Sequence, residues 1–230
     1  MKKSLYIFVA ILIITLGVPV HAQKAYVGVF GGANFADLKI NFVDNTITDY
    51  DVQSRTLFGI GGFFGIYLNE YLSIQLEPMF VQKGGVFTQA SVPDMRIKSN
   101  QLELPLILKA GIGENIRAYI IGGVFLSLVL DATVETELAG LSLEGDLTEI
   151  LEKTEFGSVF GAGISIPLWK GSAFIEGRYA LGLTNLNKGG NINLTNGNLL
   201  VAGPQTDPRD EIKTMGIQIM LGYQLPLGWE

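Results

Sequence analysis

Through most of its length the chain returns to one pattern: residues alternate between two faces, and one of those faces carries no ionised side chain. In 101–111, QLELPLILKAG, the positions Leu102, Leu104, Leu106, Leu108 and Ala110 make one face. Gln101, Glu103, Pro105, Ile107, Lys109 and Gly111 make the other. A period of two belongs to a β-strand and not to a helix. The same order recurs at 55–68, 71–80, 117–130, 155–168, 173–181 and 215–225, and more weakly from Ala25 to about Phe35, which predicts eight strands.

The placement of charge across the faces sets their orientation. Over about nine residues, roughly what a tilted strand needs to cross hydrocarbon, the apolar face holds no Asp, Glu, Lys or Arg. Arg55, Gln75, Glu77, Glu103, Lys109, Arg117, Glu176, Arg178 and Gln218 all share the opposite face. A soluble barrel turns its apolar side chains inward and its charges outward; here the order is reversed. The leucines are therefore expected to meet lipid, with Glu103 and Lys109 pointing into a lumen. Strands of this kind cross a membrane only as a closed barrel, because each backbone N–H and C=O must find a partner where water is absent.

Connection lengths agree. Short ones fall at 69–70, 113–115 and 169–171, and long ones at about 37–54, 88–97, 131–154 and 185–212. Tight periplasmic turns alternating with longer outward loops are the arrangement of an outer-membrane barrel. The predicted fold is all-β: an eight-stranded antiparallel up-and-down transmembrane β-barrel with a polar filled interior, in the cell outer membrane. Pro78 and Pro105 each remove a ladder donor from a strand body, so a local bulge or a rim position is expected at each.

At the N-terminus Lys2 and Lys3 precede an apolar run from Leu5 to Gly17 and then Val20-His21-Ala22, the order of a secretory signal peptide with cleavage after Ala22. The apolar run is shorter than the ~20 residues a spanning helix needs. The expected division is a signal peptide at 1–22 and one barrel domain at 23–230. Removal of the signal takes away His21, the single histidine, and with Lys2 and Lys3 moves the formal net charge from −6 to −8. That acidic balance excludes nucleic acid as a partner. The absence of cysteine excludes disulfides, thiolate chemistry and cysteine-bound metals.

LELPLILKAG at 102–111, FGSVFGAGI at 156–164 and EGRYALGLTNL at 176–186 resemble the PorT-like outer-membrane β-barrel family of the Bacteroidetes type, and VGVFGGANF at 27–35 is similar to that family's first strand. The resemblance covers nearly the whole chain after the signal. It implies the barrel fold and outer-membrane residence. The name-giving member is implicated in a secretion system, but the shared motifs specify no biochemical activity.

The lumen set of Arg55, Glu77, Glu103, Lys109, Arg117, Glu176 and Arg178 has nearly balanced signs, which is what a packed ion-pair core requires. An eight-stranded barrel is just wide enough for side chains to fill. The competing readings are a narrow ion path or a catalytic pair of carboxylates. A Ser-His-Asp arrangement needs an imidazole, which the chain after residue 22 lacks. The glycines of GIGGFFG at 59–65 and GAG at 161–163 open no helix, so a phosphate loop is excluded and space for large inward side chains is expected.

In the acidic stretch 131–155, Glu144, Asp146, Glu149 and Glu152 form a weak candidate for cation binding, against a simple solvated face. Leu147, Ile150 and Leu151 suggest one amphipathic turn there. Asn196-Gly197 predicts a hairpin extending the last loop. Tyr26, Tyr71, Trp169 and Trp229 are expected in an interfacial aromatic belt. The functional expectation is a non-enzymatic barrel of structural or interaction role, without catalytic residues, cofactor or metal, acting through its outward loops or as a subunit of an envelope or secretion complex. Its expected partners are outer membrane lipid, the barrel-assembly machinery and an envelope protein met by the long loops. A small pore or transport accessory is the alternative, and a lipid-acting enzyme a third reading.

Overall fold

The structure, a computed structural model, describes residues 25–43, 50–89, 92–138, 140–196 and 200–227, the side chains of Val92, Leu200, Ala202 and Pro204 excepted. The signal segment 1–22, Gly197 of the Asn-Gly pair and Trp229 lie outside these residues. Thirteen strands follow in order: β1 (Ala25–Asn41), β2 (Tyr50–Gln53), β3 (Arg55–Tyr67), β4 (Leu72–Leu76), β5 (Met79–Gln89), β6 (Val92–Ile112), β7 (Arg117–Leu138), β8 (Leu141–Asp146), β9 (Thr154–Leu168), β10 (Gly171–Gly182), β11 (Gly190–Thr195), β12 (Leu200–Thr206) and β13 (Glu211–Leu227).

Eight of these runs form a ring, in which β4 and β5 together make one wall strand. Antiparallel pairing passes from β1 to β3, β4–β5, β6, β7, β9, β10 and β13. The ring closes where β1 pairs with β13 from Ala25↔Leu227 to Asn41↔Glu211. Closure leaves no open edge in the membrane zone, which is the condition for satisfying the backbone in hydrocarbon.

The two faces of each strand take the orientation their charges demand. On β6, Leu102, Leu106 and Leu108 are 49%, 45% and 49% exposed on the outside, while Gln101, Glu103, Ile107 and Lys109 are buried inside. Inward glycines make the room that large neighbours need. A Cβ at Gly65 would lie 2.2 Å from Cζ of Tyr26, and one at Gly163 would lie 2.5 Å from the hydroxyl of Tyr119.

Several expectations change. The connection at 88–97 is not a long loop, because β5 runs to Gln89 and β6 begins at Val92. β1 continues past Phe35 to Asn41. Neither proline produces a bulge. β4 and β5 keep one register against β6 across the break, with Leu76↔Leu106 on one side and Met79↔Glu103 on the other. Glu77 N–H still donates to the Pro105 carbonyl at 3.0 Å and Gly62 N–H to the Pro78 carbonyl at 3.1 Å, and what is lost is the return bond that each proline, lacking an N–H, cannot donate. Tyr26 is buried in the lumen and so leaves the aromatic belt, whereas Tyr71 and Trp169 are exposed on the turn side.

β6 and β7 have 21 and 22 residues, about twice the 9–11 a transmembrane strand needs, so the wall continues well beyond the bilayer. There β8 pairs with β7, β11 with β8 and with β12, and β2 with β5. Val134, Leu143, Leu147, Ile150, Leu151, Leu186, Ile192 and Leu194 bury one another in an apolar core inside this outer extension.

On β7 a single residue keeps charge out of the interior where the wall passes into the outer extension. A bulge sets Gln101 opposite Val129 but Asn100 opposite Asp131, leaving Leu130 as the extra position. Below it the odd positions Tyr119, Ile121, Phe125, Ser127 and Val129 face inward; above it the even positions Ala132, Val134 and Thr136 do. The bulge thus turns Asp131, Glu135 and Glu137 away from the interior.

Candidate functional site

The lumen holds two ionic clusters at different heights. The lower one is centred on Arg178 of β10. Its Nη1 donates to Glu77 at 2.5 Å and its Nη2 to the same carboxylate at 3.1 Å, a two-pronged contact. Its Nε donates to Glu176, and Gln75 donates its amide to Glu77. Lys109 lies 3.9 Å from Glu176 and 4.0 Å from the centre of the Tyr119 ring. Glu77 follows the end of β4, four places around the ring from β10, so the Arg178–Glu77 contact joins diametrically opposed walls. Beneath it the Tyr26 hydroxyl lies 3.0 Å from both Ser73 and Gln75.

The upper cluster is centred on Lys83 of β5. Its ammonium donates to Glu103 at 2.6 Å and to Glu155 at 3.0 Å, and sits 4.2 Å from the centre of the Phe125 ring. Ser127 donates to Glu103 at 2.9 Å and Thr214 to Glu155 at 2.5 Å. Two carboxylates around one ammonium leave an excess negative charge when both are ionised, and the two hydroxyl donors partly offset it. Each of these charged side chains is almost wholly buried. Such groups are stable only when paired and hydrogen-bonded, and the geometry supplies both.

The structure therefore brings together Glu77, Lys109, Glu176 and Arg178 in one cluster and places Glu103 in the other. It separates Arg55 and Arg117 from both. Arg55 lies at the outer end of β3, 3.6 Å from the half-exposed Glu135. Arg117 lies at the turn end of β7, donating to the carbonyls of Glu70 at 2.6 Å and Gly111 at 3.0 Å. They lie at the two ends of the barrel. The alternation of a sequence assigns a face and leaves height along the axis open.

Lys83 and Glu155 complete the upper cluster and do not figure in the lumen set drawn from the sequence. Lys83 precedes Gly84-Gly85, which reads as the start of a loop. Glu155 follows a run of acidic loop residues, although it also begins the inward face of β9. Continuing the period of two from Gln75, Glu77 and Met79 to Val81 and Lys83 would have found the first.

The acidic loop residues do not converge. Asp146 caps the turn at 148–150 by accepting from Thr148 N at 2.8 Å. The Thr148 hydrogen bonds hold its carboxyl below the usual range. Glu152 lies 3.7 Å from Lys188, and Glu144 and Glu149 are exposed. Among the described residues no three acidic side chains gather to hold a metal ion. Leu147, Ile150 and Leu151 do share a side, and it faces the apolar core of the outer extension.

OprG of Pseudomonas aeruginosa, an outer membrane protein, is similar in structure at a TM-score of 0.50 and 12% identity, covering 88% of this chain and 97% of its own. The attachment invasion locus protein Ail of Yersinia pestis covers 88% of this chain and 99% of its own at TM-score 0.41 and 13% identity. No curated protein matches the sequence. The profile of a family described as "Outer membrane protein beta-barrel domain" matches residues 21–188. With its closed ring of eight strands, its apolar exterior and its enclosed charges, the chain belongs to that family of outer membrane barrel proteins and resides in the cell outer membrane.

Proposed function

We propose that this protein is a non-enzymatic barrel whose work is done by its outward extension, as a structural or interaction protein or as a subunit of an envelope complex, with a PorT-like identity within the wider family. The observation that supports this reading is the double obstruction of the lumen. Arg178 and Glu77 join opposite walls at one height, and Lys83, Glu103, Glu155 and Phe125 fill the space at another. A path for ions would have to break a buried pair, at about 3–5 kcal/mol for each partner removed. The outer extension is built instead as a packed unit with its own apolar core, and such outward surfaces are where partners dock.

In this reading residues 1–22 direct export and are removed, the barrel-assembly machinery inserts the remainder, lipid surrounds the apolar belt and an envelope protein meets the extension. Planar-bilayer recording of the folded barrel tests it. No stepwise conductance is expected from the unmodified protein. Steps whose size changes on Glu103→Gln or Arg178→Gln would replace this reading with a pore. Crosslinking from the loop side in detergent-solubilised envelopes then looks for the companion protein.

A further inference from the structure

Inside the outer extension, above the upper ionic cluster, lies a cavity of 240 Å³. Its walls come from distant parts of the chain: Leu38 and Ile40 of β1, Phe87 of β5, Ile97 of β6, Ile150 of the turn and Leu186 before β11. Ser99 and Thr214 lie at its lower end, and Thr214 is the residue that donates to Glu155 of the cluster beneath. A dry apolar cavity of about 150 Å³ is known to accept benzene or xenon. A chamber of 240 Å³ takes a ring with a short substituent or a short alkyl chain.

We propose that this chamber is a binding site for a small uncharged, hydrocarbon-rich molecule reached from the outer side and not passed on toward the periplasm. Three features select that chemistry. The lining is predominantly hydrocarbon, so burial of an apolar ligand is favourable in proportion to its area. Net negative charge borders it: Asp210 lies in the wall, its oxygens already accepting from Val43 N at 2.9 Å and Asp207 N at 3.3 Å, and below it Glu103 and Glu155 share the single ammonium of Lys83. A ligand carboxylate is therefore repelled. Thr214 donates its hydroxyl hydrogen to Glu155 in a hydrogen bond, so its oxygen remains as an acceptor for a neutral hydroxyl. Because Lys83, Glu103, Glu155 and Phe125 fill the lumen directly underneath, the chamber is blind at that end. The inference does not depend on whether the extension also binds a protein.

The test is ¹⁹F NMR of hexafluorobenzene with the full barrel in lipid nanodiscs, empty nanodiscs giving the background from partition into lipid. A saturable protein-bound signal is expected, displaced by 1-octanol at a concentration at least tenfold lower than by octanoate. Ile150→Trp, which fills the chamber, should abolish the signal, and Phe87→Ala, which enlarges it, should keep or strengthen it. Leu186→Phe serves as the filling variant if Ile150→Trp loses the heat-modifiable gel mobility of a folded barrel. A signal no greater than that of empty nanodiscs, one that survives filling, or equal displacement by octanoate overturns the proposal.

Discussion

The part of the barrel within the membrane and the part beyond it are made from the same strands, yet they are packed in opposite senses. In the lower part Leu106 and Ile120 face outward while Glu77, Glu176 and Arg178 are enclosed. In the outer part Val134, Leu143 and Leu194 are enclosed while Glu135, Glu137 and Glu144 face outward. Each surface matches its solvent, hydrocarbon below and water above. Polarity is thus a local property of height along a strand, and the Leu130 bulge is the device by which β7 satisfies both parts.

The comparison can be broken most severely from the lower interior. Glu77→Ala leaves Arg178 buried without its two-pronged partner and is expected to lower unfolding free energy by about 3–5 kcal/mol, read by denaturant titration in lipid vesicles with heat-modifiable gel mobility as the probe. The double variant Glu77→Leu with Arg178→Met should recover much of that loss, since an apolar replacement of both partners removes the stranded charge. A single variant as stable as the unmodified barrel would show that the cross-lumen pair is not formed.

A second experiment sharpens the contrast between the two outer surfaces. Leu106 and Leu141 are exposed to nearly the same degree, 45% and 47%, but one faces lipid and the other water. Leu106→Arg is expected to cost about 2–4 kcal/mol if it lies near the bilayer midplane, and Leu141→Arg less than about 0.5 kcal/mol as a surface change. Equal costs would mean that the boundary lies elsewhere.

The smallest effect concerns the rim of the extension. Hydrogen bonds from the Arg209 side chain and backbone hold the Asp207 carboxyl down at about 2. A depressed carboxylate contributes stability that is present above its unfolded value, about 3.9, and is lost as pH falls through the folded one. Acidification from pH 4 to pH 2 should therefore loosen the 207–210 turn slightly, and Asp207→Asn should remove that dependence, as followed by hydrogen exchange of the Arg209 amide. Because the group is on the surface, an identical exchange profile in the variant would assign the turn's order to Asp210 instead.

The same division explains what could be read from the sequence. Leu102, Leu104, Leu106 and Leu108 declare their orientation because Glu103 and Lys109 interrupt them at the right period, so β6 and its buried charges are legible residue by residue. β7 is legible only to Leu130. There the period slips by one, and Asp131, Glu135 and Glu137 look like loop residues although the strand continues to Leu138. Lys83 was hidden by the two glycines after it. Arg55 and Arg117 share the alternation of the lumen charges but not their company, since partnership depends on axial position and on reach across the lumen. The outer chamber is assembled from segments as far apart as Leu38 and Thr214, and no local pattern announces such a meeting.

The diametric contact between Arg178 and Glu77 also has a mechanical meaning. A thin cylinder under lateral pressure from its surroundings deforms first by becoming oval, which shortens one diameter and lengthens the other. A short, doubly bonded strut along a diameter opposes both changes, and the tilted strands carry its resistance around the whole circumference. The cross-section is therefore braced from within, and lipids that squeeze or release the wall are met by a stiff rim beneath the outward platform.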